Sequence, residues 1–149
     1  MAWHRNPWLI VAGWLSIAAS LLHIGCIVGG PDWYRFFGAG EGMALAAERG
    51  DIYPALVTFA IAALLAIAAA YAFAGAGAIR KLPLMRTALV VISGVYLLRG
   101  LALVPIALTP AAQTPFNIWS SLIVLAYGIT YAIGTWRAWP SLSPKGTFV

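Results

Sequence analysis

Charge is scarce in this chain, and that scarcity decides its class. Only 9% of the 149 residues are charged, nine Lys and Arg against four Asp and Glu, where a water-soluble domain is about a quarter charged. With 62% hydrophobic residues there is too little polar side chain to clothe a water-facing surface. A soluble globular domain is therefore excluded and a lipid environment implied. A second cysteine is missing: Cys26 stands alone, which excludes an internal disulfide and leaves the redox compartment open. Acidic residues occur nowhere before Asp32 or after Asp51, so no paired carboxylates lie within the apolar runs. In such a chain the net charge of +5 reports orientation rather than affinity for nucleic acid.

What is present is four long apolar runs, 8–28, 53–76, 87–108 and 116–134. Each is long enough to cross about 30 Å of hydrocarbon. The expectation is an all-α integral membrane protein. It is a single domain of four transmembrane helices in a bundle, with an outer capping segment over 30–51. The first run follows Arg5 much as a signal peptide would, but it is too long for an h-region and lacks a small-x-small cleavage site, so it reads as a retained span. Six basic residues (Arg5, Arg80, Lys81, Arg86, Arg137 and Lys145) fall on one side, and only Arg35 and Arg49 on the other. The positive-inside rule then makes both termini and the 77–86 connection cytoplasmic, and argues against insertion in both orientations. Trp3, Trp8, Trp136 and Trp139 belong at the inner interface, Trp33 and Trp119 at the outer one. In layout the chain resembles small four-span inner-membrane proteins of bacteria, and no motif in it carries an activity.

All four acids, Asp32, Glu41, Glu48 and Asp51, lie in the outer connection. Gly29-Gly30-Pro31 ends the first span, because Pro cannot continue a helix, and Pro31 suits the first turn of a new one. Trp33, Phe36, Phe37, Gly40, Ala44 and Ala47 recur at helical spacing and predict one apolar face. Gly38, Gly40 and Gly42 predict a kink or break beside Glu41, since each weakens a helix by about 1 kcal/mol relative to Ala. The segment is an interfacial amphipathic helix or a re-entrant one. Asp32, Glu48 and Asp51 read as solvated loop charges. Glu41, set among glycines and apolar residues, calls for a partner.

One cation stands inside a span. Arg99 is the only charged side chain between Thr87 and Trp136, and a guanidinium cannot shed its proton at any working pH. It lies about 15 Å from the outer end of its run at 1.5 Å per residue, and His23 about 9–10 Å from the end of its own. Glu41 dipping inward would meet both. Ser16, Ser20, His23 and Cys26 share one face of the first span. Tyr96 precedes Arg99 by a turn, and Ser120, Tyr127 and Tyr131 align on the fourth span. Polar stripes in lipid turn toward the bundle interior. The serines and tyrosines read as contacts between helices. The alanine-rich second span reads as a close-packing structural helix.

These residues support two expectations of function. In the first, Arg99, Glu41, His23, Tyr96 and Arg35 form a polar pocket that binds or passes a small anion, a proton, or a polar-headed lipid or quinone. Arg99 would hold negative charge, and His23 would titrate. In the second, Arg99 makes a structural ion pair and the chain is a non-catalytic accessory or scaffold subunit of a larger membrane complex. Membrane lipids and a homo-oligomer or larger assembly are the expected partners. Arg80, Lys81 and Arg86 set topology or touch lipid headgroups. His23 and Cys26 amount to half a metal site. A haem or pigment at His23 would lack a second intramembrane histidine. No Ser/His/Asp set assembles without Glu41, and the Gly38–Gly42 stretch is not a phosphate loop, so the chain leans away from an enzyme.

Overall fold

A computed structural model describes residues 6–142. Trp3, Arg5 and Lys145, named above for topology, lie outside the described residues. The described chain is helical and contains four helices long and apolar enough to cross a membrane. Helix α1 spans Pro7–Gly29, α2 Pro31–Phe36, α3 Glu41–Glu48, α4 Tyr53–Gly75, α5 Met85–Leu101, α6 Leu103–Leu108 and α7 Pro115–Ala138, with a 3₁₀ turn at Trp139–Ser141. The four-span bundle expected from the apolar runs is what forms.

The helix starts follow from local chemistry. The Asn6 side chain accepts from the Trp8 and Leu9 amides, and Thr114 accepts from Asn117, satisfying donors that a helix leaves orphaned at its start. Proline sits in the first turn of α1, α2, α4 and α7, where its missing N–H costs nothing.

Two predicted elements are broken, each for a local reason. The face running from Trp33 to Ala47 is split into α2 and α3 by a turn at Gly38 and Gly40, whose φ angles are +67° and +96°. Residues with a Cβ avoid that region. The run 87–108 is split at Ala102 into α5 and α6. Pro105 lies four residues after Leu101; its ring clashes with the Leu101 carbonyl and it has no N–H to give it. Helix α5 therefore ends at Leu101.

The spans pack chiefly as α1 with α4 and α5 with α7, and the two pairs meet mainly along α1 and α7. Close approach depends on missing side chains. A Cβ on Gly100 would stand 2.5 Å from Leu125 Cα, and one on Gly128 would stand 2.8 Å from the Leu97 amide nitrogen. The main apolar cluster includes Leu9, Ala12, Ala72, Leu89 and Tyr131, drawn from all four spans. Leu56, Leu64, Val91, Leu98 and Ile123 are exposed, as expected of helices whose outer faces meet lipid. The segment 30–51 folds over one end of the bundle. There Cys26 of α1, Tyr34 of α2 and Ala44 of α3 form a second small core, and Gly38 lies against the ring of Phe116 at the start of α7. This is the acidic end; the opposite end carries Arg80, Lys81, Arg86 and Arg137.

Candidate functional site

The helix break defines the surroundings of Arg99. Because α5 stops at Leu101, Arg99 lies in its last turn, where unpaired carbonyls make the helix end partly negative. The side chain reaches to α7. Nη1 donates to Ser121 Oγ at 3.0 Å and Nη2 to Ser120 Oγ at 3.5 Å. Ser121 is buried, whereas Arg99 itself is exposed. Ser120 and Ser121 follow Pro115 by about one and a half turns, which puts the guanidinium about 8–9 Å from the start of α7.

The residues expected to join Arg99 are elsewhere. Glu41, at the start of α3, is exposed and takes a forked contact from Arg35: Nε donates to both carboxylate oxygens at 3.2 and 3.0 Å, and Nη2 to Oε1 at 2.7 Å. Arg35 also meets Glu48 at 2.8 Å and, more loosely, Asp32 at 3.6 Å. The Gly38–Gly40 turn folds α3 back beside α2, so the partner of Glu41 lies six residues away instead of across the bundle. Among the described residues Arg99 makes no ion pair. Hydrogen bonds from Arg35 hold the Glu41 carboxyl below the usual carboxylate range and push the Arg35 guanidinium still higher.

His23 is half-buried, and its Nδ1 lies 2.7 Å from the Ala19 carbonyl one turn earlier on the same helix, leaving Nε2 as the ring nitrogen open to other contacts. Cys26 is buried against Tyr34 and Ala44. No group of three or more His, Cys, Asp or Glu among the described residues is placed to hold a metal ion. Tyr96 turns away from Arg99 into the bundle. Its ring stacks on Tyr131 at 5.3 Å and meets Tyr127 edge-on at 5.7 Å. Ser16 Oγ lies 2.8 Å from the Tyr131 hydroxyl and 3.3 Å from that of Tyr96. Tyr127 donates to the Leu15 carbonyl. Three of the predicted polar stripes thus meet in one interior knot. At the basic end Lys81 donates to the Ser141 carbonyl and Arg86 to that of Trp139, and the Arg86 guanidinium lies 4.6 Å over the Trp139 ring. Those two cations cap the end of α7. Arg80 joins no hydrogen bond or ion pair among the described residues.

Magnitudes decide what the Arg99 site can do. An arginine at mid-bilayer costs about 2.5–3.5 kcal/mol on an insertion scale, and with the guanidinium this near the end of a span that figure is an upper bound for Arg99. Hydrogen bonds between membrane helices average about 0.6 kcal/mol each, so the two serines return about 1.2 kcal/mol. The helix end adds about 0.3–1 kcal/mol. Neither hydroxyl cancels the charge. Of the five N–H donors on a guanidinium, two are engaged, leaving three without a partner among the described residues on an exposed side chain. The chemistry on offer is bidentate capture of an oxyanion.

Two features of this site lay beyond the sequence reading. Ser121, which holds Arg99 most closely, falls off the Ser120–Tyr127–Tyr131 stripe. Pro105, whose position relative to Leu101 was the available signal, ends α5 beside Arg99. No family model matches the chain, and no curated protein and no solved structure matches it.

Proposed function

We propose that this protein binds the anionic headgroup of a membrane amphiphile, a phosphate or carboxylate, at Arg99, with Ser120 and Ser121 orienting the guanidinium. The supporting observation is an exposed intramembrane arginine with two neutral hydrogen-bond partners and no carboxylate. A bound oxyanion would complete the donor set and balance the charge. The apolar faces around it, including Leu98 and Leu101, suit an acyl or isoprenoid tail. In this reading the protein resides in a bacterial inner membrane with both termini cytoplasmic, as the basic residues argue. The site then belongs to the outer half of the bilayer.

The test is retention of lipid by the full chain in maltoside micelles, read by native mass spectrometry. Wild-type protein is expected to keep one phosphatidylglycerol in preference to neutral diacylglycerol. Arg99→Ala should lose that preference, and Arg99→Lys should keep only part of it, because a lysine is a point charge without the fork. If folded Arg99→Ala keeps phosphatidylglycerol as wild type does, the proposal fails.

The same exposed guanidinium supports a second reading, in which the chain is an accessory subunit and Arg99 pairs with an acidic side chain of another membrane protein. Co-purification of one partner at fixed stoichiometry, lost in Arg99→Ala, favours that reading over lipid binding.

A further inference from the structure

An open groove of about 420 Å³ on the acidic end is lined by Asp32, Trp33, Phe36 and Phe37 of the α2 segment. We propose that it is a binding site for a trimethylammonium group, separate from the anion site at Arg99. Three of its four walls are aromatic. Phe36 meets Phe37 edge-to-face at 4.9 Å with planes at 86°, and Trp33 meets Phe37 at 5.6 Å with planes at 47°, so the three rings around the groove lie in different planes. Trp33 is held in place because glycines at positions 25 and 29 leave its ring room against α1. The ring faces of Trp and Phe attract cations through their quadrupoles, and quaternary ammonium groups are the cations that such cages recognise.

Charge supports the same occupant. Segment 30–51 carries Asp32, Glu41, Glu48 and Asp51 against Arg35 and Arg49, four negative charges against two positive ones. Arg35 commits Nε and Nη2 to Glu41 and Glu48 and reaches Asp32 only at 3.6 Å through Nη1. The Asp32 side chain is 95% exposed, against 59% for Glu41, 45% for Glu48 and 49% for Asp51. Asp32 is therefore the carboxylate least held by protein, and it borders the aromatic groove. A cation with N–H groups is strongly hydrated and gains little by leaving water. A methylated one fits both the apolar walls and the charge.

Trimethylammonium occurs in free cations and in phosphocholine headgroups, and the experiment separates them. Calorimetric titration of the full chain in maltoside micelles with tetramethylammonium and with ammonium chloride, at matched ionic strength, is expected to show at least fivefold tighter binding of tetramethylammonium. Asp32→Asn and Phe36→Leu, both at exposed positions, should each weaken it about three- to tenfold. Arg99→Ala should leave it unchanged, so failure of one site is distinguishable from failure of the other. Repeating the titration in nanodiscs identifies the source. Loss of binding in phosphatidylcholine but not in phosphatidylglycerol names the lipid headgroup, and equal binding in both names a free cation. Equal affinity for the two ammonium ions, or wild-type affinity in both folded variants, overturns the proposal.

Discussion

Ser16 shows how one side chain ties the interior together. Its hydroxyl lies between those of Tyr131, which is fully buried, and Tyr96. Removing it leaves the Tyr131 hydroxyl stranded, which costs more than removing both groups. Ser16→Ala is therefore expected to lose about 1–2 kcal/mol, and Tyr131→Phe about 0.6 kcal/mol, because Ser16 keeps Tyr96. Unfolding in mixed micelles by increasing sodium dodecyl sulfate measures both; equal losses would refute the shared hydroxyl. The contrast with Arg99 is instructive. Ser16 and its tyrosines are satisfied within the chain, whereas Arg99 is left with donors to spare, so a candidate site is found by what remains unsatisfied.

Elements carry the next two predictions. Pro105→Ala restores an N–H at position 105 and removes the clash with Leu101, so α5 and α6 should fuse into one helix. Hydrogen exchange at residues 103–106 should slow by about tenfold, and anion retention at Arg99 should rise, because the partly negative helix end that competes with the anion moves away from it; unchanged exchange would show that Pro105 does not cause the break. The α2–α3 cap depends instead on the Arg35 cluster. Glu41 has its pKa lowered by the hydrogen bonds from Arg35. Its contribution is thus complete above the ordinary carboxylate pKa of about 4.3 and is lost as pH falls through the lower folded value. The raised Arg35 contributes at every working pH. Protection factors of amides 37–45 should fall below about pH 4 while those of α1 and α7 hold; Glu41→Gln should weaken this pH dependence, and an unchanged dependence would place the switch elsewhere.

At the scale of the molecule, two helix pairs join through α1 and α7, and glycine sets the spacing within one of them. Gly128→Leu would drive a side chain into Leu97, whose amide already lies within 2.8 Å of any added Cβ. Separation of α5 from α7 is expected to cost about 3 kcal/mol, near the upper end for overpacking, and to pull Ser121 from Arg99. Gly94→Leu, where nothing lies within 4 Å, should be nearly neutral under the same denaturation assay; a loss equal to that of Gly128→Leu would contradict this packing. One change at the helix interface thus tests the bundle and the candidate site together.

How much was legible from residues alone depends on whether the cause is local. The four spans, the breaks encoded by Gly38–Gly40, the intramembrane position of Arg99 and the inward turn of Ser16, Tyr96, Tyr127 and Tyr131 all follow from hydrophobicity, glycine content and helical periodicity. These are properties of short windows of chain. Which acid meets which base is not such a property. Glu41 could serve Arg35 or Arg99 on sequence grounds, and the choice fell to the turn that folds α3 against α2. Likewise Ser121 lies near Arg99 only because Gly100 and Gly128 let α5 and α7 approach. The sequence by itself determined that a permanent cation lies within the membrane span. Tertiary structure decided that it is left facing outward with serines for company, because ion pairing and helix spacing are settled by contacts between segments distant along the chain.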